Sequence, residues 1–449
     1  MPKLDIYAVG RGGVNLTKSP IHLNDTELTQ AQNAEFDLTE REGGLRKRGG
    51  LAAVTSALNS GGDVTGMVGL PLPTTFTRTL YAGLDTTSVT NTWRTTTDGT
   101  TWANATTPGR TTDQTKRGTS GVDAYGNRRI IGFKNKFLYP SNDYTLYPNV
   151  GHTAPPLRLF DGSSDVELLH VQPGPNTTAT ANAYAIIDMV AVDGTCYFSC
   201  WEQNGGTNGG RVFSLNLTTG LVAQVGDTFG GGSAEISGGM PYTLCSYRGQ
   251  LYVGLHGVAG GSSGKVVRIN PGGTNTWTTD VTGLQGYPIS MAAYKGNLYA
   301  GLQGDVGENA LVVVRTASTG AWTTSDTGSG VIAFSYYGPL IVYEDELYAA
   351  FLSPHTTPAS VISTIRKFDG SSWTTDLDVK GTLTPTGVTN FAAHRPSQAV
   401  IFNGSLFIAY TSSYGNANGF ILKNTSGTWS IIEQGKDFNG FMSAIMVQS

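Results

Sequence analysis

A short apolar-aromatic strand led in by a tight turn recurs along this chain, and no other feature limits the fold so strongly. Its clearest copies are Gly249-Gln250-Leu251-Tyr252-Val253-Gly254, Gly296-Asn297-Leu298-Tyr299-Ala300-Gly301, Asp345-Glu346-Leu347-Tyr348-Ala349-Ala350 and Gly404-Ser405-Leu406-Phe407-Ile408-Ala409. Weaker copies centre on Tyr197, Leu138 and Tyr81, which makes seven units spaced 47 to 59 residues apart. Periods near 40 to 50 residues, stretched by loops, belong to propeller blades rather than helical solenoids. The expectation is an all-β chain, a seven-bladed β-propeller of four-stranded antiparallel blades.

Each unit has the internal grammar of such a blade. In the fourth, Tyr242 to Tyr247 reads as an inner strand, Gln250 to Leu255 returns, Lys265 to Ile269 is the third strand and Thr276 to Asp280 the outer one. A Trp follows a Gly- or Ser-rich turn before the outer strand in Asn275-Thr276-Trp277-Thr278, Gly320-Ala321-Trp322-Thr323, Ser371-Ser372-Trp373-Thr374, Gly427-Thr428-Trp429-Ser430 and Thr97-Asp98-Gly99-Thr100-Thr101-Trp102. Such a Trp is expected to cap the edge of a small core within its blade, with Gly and Asp supplying the positive φ of a tight hairpin. The last apolar stretch, Phe441 to Val447, is expected to join the first blade and close the ring, hiding open sheet edges. A helical turn is expected only within Asp25 to Leu38, capped by Asn24 or Asp25.

Composition removes several functions. Charged residues are 14% of the chain, against about 25% in an average soluble domain, and 29 basic against 33 acidic residues leave a formal net charge of -4. That balance offers no surplus for neutralising phosphates, so sequence-specific nucleic-acid binding is not expected. Met1-Pro2-Lys3-Leu4-Asp5 is not followed by an apolar h-region, and no long apolar run occurs, so the expectation is a chain made in the cytosol without stable membrane insertion. Cys196, Cys200 and Cys245 are an odd set. The first two share one strand, too far apart to bond, so no disulfide framework is expected.

Residues 1–60 stand outside the repeat and are read as an irregular extension before a propeller of residues 61–449. They contain Gly12-Gly13-Val14-Asn15, then Leu28-Thr29-Gln30-Ala31-Gln32-Asn33-Ala34, then Gly43-Gly44-Leu45-Arg46-Lys47-Arg48-Gly49-Gly50-Leu51. This order resembles the start of bacteriophage tail nozzle proteins, also called tail tubular protein B, a family that builds a propeller-containing ring extending the tail tube of short-tailed phages. Asn33, Gly44, Arg46, Arg48, Gly49 and Leu51 are the family-like positions, and the resemblance implies that they serve assembly or docking. The chain departs from the family in having Arg48-Gly49-Gly50 where Arg-Pro-Gly is usual, and in leaving little room for the inserted domains of longer members. The resemblance implies a virion component made in the host cytoplasm, a homo-oligomeric ring, and other tail or neck proteins as partners.

Motifs that carry chemistry are weak. Gly260-Gly261-Ser262-Ser263-Gly264 has nucleophile-elbow spacing but lies between two strands with no helix after it, and as a phosphate loop it fails at Ala259 and Val266. His22, His152, His170, His256, His355 and His394 show no metal-ligand spacing. Asp305-Val306-Gly307-Glu308-Asn309 lacks the length of a dedicated calcium loop. The Asp98 and Asp369 turns are similar to sialidase Asp-boxes, which lie on outer hairpins away from the axis, and arginines are sparse for a sialidase. No catalytic, metal or cofactor residue is therefore expected. The function expected is a non-enzymatic phage structural protein of the tail nozzle, neck or tail ring, with a lectin-like receptor-binding propeller and a glycoside hydrolase as rivals.

Overall fold

A computed structural model of the chain divides into two compact units, Met1–Thr75 and Phe76–Ser449. The described residues are the backbones of 34–37 and 44–47, then the strands and tight turns between 79 and 445; longer connections, among them 106–130, 141–151, 171–181, 257–262, 305–308, 329–335, 354–360 and 413–418, are not described.

In the first unit β1 (Ala34–Asp37) pairs antiparallel with β2 (Gly44–Lys47), with Glu35 opposite Arg46 and Phe36 opposite Leu45. This corrects the helix expected within Asp25 to Leu38 where the two overlap. Ala34, Glu35, Phe36 and Asp37 alternate apolar and acidic residues, a period of two that suits a strand. Gly44 and Arg46 lie in β2. Asn33, Arg48, Gly49 and Leu51 fall outside the described residues.

The second unit is the seven-bladed propeller. Its strands follow in chain order: β3 (Thr79–Gly83), β4 (Trp93–Thr96) and β5 (Ala103–Ala105); β6 (Ile131–Phe133), β7 (Lys136–Pro140), β8 (His152–Thr153), β9 (Pro156–Phe160) and β10 (Asp165–His170); β11 (Asn182–Val192), β12 (Thr195–Asn204), β13 (Thr207–Asn216), β14 (Val222–Gly230) and β15 (Ile236–Ser237). Then come β16 (Met240–Tyr247), β17 (Gln250–His256), β18 (Ser263–Ile269) and β19 (Thr278–Gln285); β20 (Tyr287–Tyr294), β21 (Asn297–Gln303), β22 (Leu311–Arg315) and β23 (Trp322–Thr327); β24 (Tyr336–Tyr343), β25 (Glu346–Ser353), β26 (Ile362–Phe368) and β27 (Trp373–Asp378); β28 (His394–Phe402), β29 (Ser405–Ser412), β30 (Gly419–Thr425) and β31 (Thr428–Lys436); and β32 (Phe441–Ile445). β8 and β15 add short parallel strands to the third blade. The final strand β32 is the inner strand of the first blade, pairing Thr79 with Ile445 and Gly83 with Phe441. The inner strands β6, β11, β16, β20, β24, β28 and β32 each lie beside the next, and β32 lies beside β6, so the ring is closed.

The repeated Leu-Tyr pair has a clear physical role. Adjacent strand residues point to opposite faces, and each blade has a neighbour on both. Leu251 belongs to the apolar cluster shared with Tyr197 and Val212 of blade three, whereas Tyr252 belongs to the one shared with Leu298 and Leu302 of blade five. Tyr299 meets Leu347, Tyr348 meets Leu406, and Phe407 meets Leu80 in the same way. Tyr81 packs with Phe137, and Leu138 with Cys196. Seven clusters thus fill seven junctions, and the cores lie between blades rather than inside them. Burying one such Leu contributes roughly 2 kcal/mol.

The turns before these pairs are two-residue hairpins in which both residues take positive φ: Arg248 and Gly249, Lys295 and Gly296, Glu344 and Asp345, Asn403 and Gly404. This backbone twist matches that of the flanking strands.

Candidate functional site

The Trp residues expected to cap individual blades do something different. Trp277, Trp322, Trp373, Trp429 and Trp102 each pack on the junction with the preceding blade. Three reach a side-chain acceptor on that blade's outer strand. Trp322 Nε1 donates to Asp280 Oδ2 at 2.7 Å, Trp373 Nε1 to Ser325 Oγ at 2.9 Å, and Trp429 Nε1 to Asp376 Oδ2 at 2.6 Å. At the junction of blades three and four, Gly226 lies against Trp277, and a Cβ there would collide with the indole ring.

Cations complete these clamps. Asp280, whose side chain is 5% exposed, lies 2.7 Å from Arg315 Nε of the next blade and 2.9 Å from Arg268 Nε of its own. The hydrogen bond from Arg315 to Asp280 raises the pKa of that guanidinium above its ordinary value. Asp326 accepts from Tyr337 Oη at 2.7 Å and lies 3.0 Å from Arg366 Nε, both on blade six. Burial, reinforced by Asp326, pushes the Tyr337 phenol up, so it stays a donor. Asp376 holds Lys367 Nζ at 3.2 Å. Between the last blade and the first, Glu433 Oε1 meets Arg94 Nη2 at 3.1 Å.

Two further layers join the same blades. Tyr247, Tyr294 and Tyr343 end successive inner strands, and their hydroxyls donate to the Gly296, Asp345 and Gly404 carbonyls in the next blade's hairpin, at 2.6, 2.7 and 2.9 Å. The residue that follows the end of an inner strand reaches the next blade as well: after β16, Arg248 Nη1 reaches Ala317 O at 3.3 Å; after β20, Lys295 Nζ reaches Asp369 O at 2.7 Å; and after β28, Asn403 Nδ2 reaches Thr97 O at 3.1 Å.

Near the axis, register shifts insert an extra residue into successive inner strands, leaving Ile187, Tyr242 and Ile289 outside the pairing. All three are buried in one apolar cluster. The residue after each bulge is polar, and two of them serve the next blade's backbone. Asp188 Oδ2 accepts from Leu244 N at 2.7 Å and Thr243 Oγ1 at 3.1 Å, while its Oδ1 accepts from Met189 N at 2.8 Å. Ser290 Oγ accepts from Leu340 N at 2.9 Å. Asp188 is the single carboxylate carried by the seven inner strands, and Arg395 the single guanidinium.

The carboxylates of the outer turns are likewise engaged with the backbone. Asp98 Oδ1 accepts from Thr100 N and Thr101 N, both at 2.7 Å, and Asp369 Oδ1 from Ser371 N at 2.6 Å and Ser372 N at 2.8 Å. Asp161, which the sequence reading passed over, does the same with Ser163 N and Ser164 N. These amides hold the Asp98 and Asp161 carboxyls well below the usual range and bring Asp369 down to about 2.

Of the motifs weighed for chemistry, Ser263 and Gly264 open β18, where a Cβ on Gly264 would strike the Gly286 carbonyl. Ser262, Asp305 and Glu308 lie outside the described residues, as do His22 and His355. His256 stacks on Tyr287 with ring centroids 3.9 Å apart, and His394 lies against Phe391 and Phe420. Among the described residues no group of three His, Cys, Asp or Glu could hold a metal ion. Cys196, Cys200 and Cys245 are all buried and unbonded to one another, and burial raises the Cys196 thiol. No helix among the described residues is long and apolar enough to cross a membrane.

No family model matches the chain, and no curated protein does. Several solved structures are similar to the chain at low identity. A protein from Lactobacillus plantarum is 13% identical with a TM-score of 0.49, the match covering 80% of this chain and 96% of that one. A 6-phosphogluconolactonase-like protein from Bacteroides fragilis is 14% identical with a TM-score of 0.46, covering 81% and 96%. Trypanosoma rangeli sialidase is 9% identical with a TM-score of 0.39, covering 68% of this chain and 52% of the enzyme.

Proposed function

We propose that this chain is a non-enzymatic structural subunit of a bacteriophage particle, placed in the tail nozzle or in a neck or tail ring, where it assembles with copies of itself and with other virion proteins. The observation that carries the non-enzymatic part is the commitment of Asp188. Hydrolysis at a propeller axis calls for several convergent titratable groups with separated proton affinities. Here the inner strands bring one carboxylate, and it is fully buried against the backbone of the next blade. Across the junctions, Asp280 engages Arg315 and Trp322, Asp326 engages Arg366 and Tyr337, Asp376 engages Trp429 and Glu433 engages Arg94, while Asp376 also holds Lys367 of its own blade. Such an arrangement suits a durable ring more than turnover.

The particle assignment rests on the resemblance of Gly43 to Leu51 and the residues before it to the nozzle family. Electron cryomicroscopy of the protein in its native assembly tests it, with a glycan array and a generic glycoside assay on the isolated chain. Density for this chain in a tail or neck ring supports the proposal. Specific sugar binding without assembly favours the lectin reading, and glycoside turnover favours the hydrolase.

A further inference from the structure

We propose that Asn403 is a site of spontaneous covalent modification, converting through a cyclic imide to aspartate and isoaspartate, and that the change loosens the junction where the last blade meets the first. Four described hairpins share one conformation, with residues Arg248-Gly249, Lys295-Gly296, Glu344-Asp345 and Asn403-Gly404 at their tips. Only the ring-closing copy carries an amide side chain followed by glycine. Both Asn403 and Gly404 are exposed, and nothing lies within 4 Å of the place a Gly404 Cβ would occupy. A glycine nitrogen there is an unhindered nucleophile.

The Gly404 backbone nitrogen, losing its proton to solvent, bonds to Asn403 Cγ. The Cγ–Nδ2 bond then breaks, and the departing nitrogen takes a proton back from solvent and leaves as ammonia. Water adds to either carbonyl of the five-membered imide, giving aspartate by one opening and isoaspartate by the other. No oxidant or reductant takes part.

Asn403 Nδ2 is the group that leaves, and it is the donor to Thr97 O across the closing junction. The product presents a carboxylate to that carbonyl, an acceptor facing an acceptor. Isoaspartate also adds a methylene to the main chain beside Gly404, whose carbonyl accepts the Tyr343 hydroxyl. Two contacts between blades are therefore altered by one reaction.

The test incubates the full chain at mildly alkaline pH and follows it by peptide mapping, reading exchange of NH2 for OH at Asn403 and enzymatic methylation of isoaspartate. The Asn403 peptide should convert ahead of the one holding Asn216, which precedes a bulky leucine. The thermal midpoint should fall in parallel. Asn403→Asp made directly should lower the midpoint by roughly 1–2 °C, and Asn403→Gln, which closes the five-membered ring no longer, should remove the part of the drift that tracks the Asn403 peptide rather than the peptides of the other Asn-Gly pairs at Asn204, Asn208, Asn418 and Asn439. An Asn403 that stays intact after a synthetic peptide of residues 400–407 has converted would overturn the site. An Asn403→Asp chain that melts like the parent would overturn its effect on the junction.

Discussion

Arg94 Nη2 and Glu433 Oε1 meet at 3.1 Å although 339 residues separate them, tying the third strand of the first blade to the outer strand of the last. The same two blades share the Asn403 to Thr97 hydrogen bond, and the first is itself completed by β32. Both chain ends of the propeller are thereby held at one place.

Deleting Phe441 to Ser449 removes that inner strand and exposes the edge of β3. Loss of a single cooperative thermal transition, with aggregation, is the expected result by calorimetry and light scattering. A truncated chain that melts like the intact one would show that β32 is peripheral.

Asp280 gathers Arg268, Arg315 and the Trp322 indole in a nearly dry place. Asp280→Ala should cost about 3 kcal/mol, because two guanidinium groups and an N–H lose one acceptor. Asp280→Asn keeps an acceptor for Trp322 and should cost less. Urea denaturation of both variants checks the order; equal costs would mean that only packing matters at this position.

The Asp369 carboxyl sits near 2 instead of its usual 3.8 because the Ser372 and Ser371 amides favour its charged form. A depressed acid binds its proton more weakly when folded, so its contribution is complete above pH 3.8 and disappears as the pH falls through about 2. Thermal midpoints of the parent and Asp369→Ala, compared over that window, should converge toward the acid end. A gap that stays constant would remove the turn's amides as the cause.

Removing residues 1–50 should leave the propeller folded, since the second unit begins at Phe76, yet stop the chain from entering particles. A ring subunit needs a contact surface beyond its own core. Circular dichroism and an incorporation assay separate the two effects; normal incorporation would deprive the proposed role of its main support.

Substituting Ser262, Asp305 or Glu308 should leave infectivity unchanged. If one such change abolished infectivity while particles assembled with normal composition, a hydrolase or ion site would replace the structural reading.

The repeat alone determined the fold class, the number of blades and the strand order within them. Leu251 with Tyr252, and their counterparts, state the pattern locally, since a strand buried on both faces needs apolar residues at successive positions. The hairpin tips were readable for the same reason: Gly249, Gly296 and Gly404 supply a backbone shape that few residues tolerate. The Trp at five of the outer turns was visible too, but not its target. Asp280 stands 35 residues before Arg315 and 42 before Trp322, and only the ring brings successive outer strands alongside one another. Asp188 was equally silent, because a carboxylate that accepts from the next blade's backbone leaves no partner residue type to recognise. Which residues of a repeat are buried follows from the local pattern; which neighbour they are buried against is decided by the tertiary ring, because every junction pairs residues from two separate repeats.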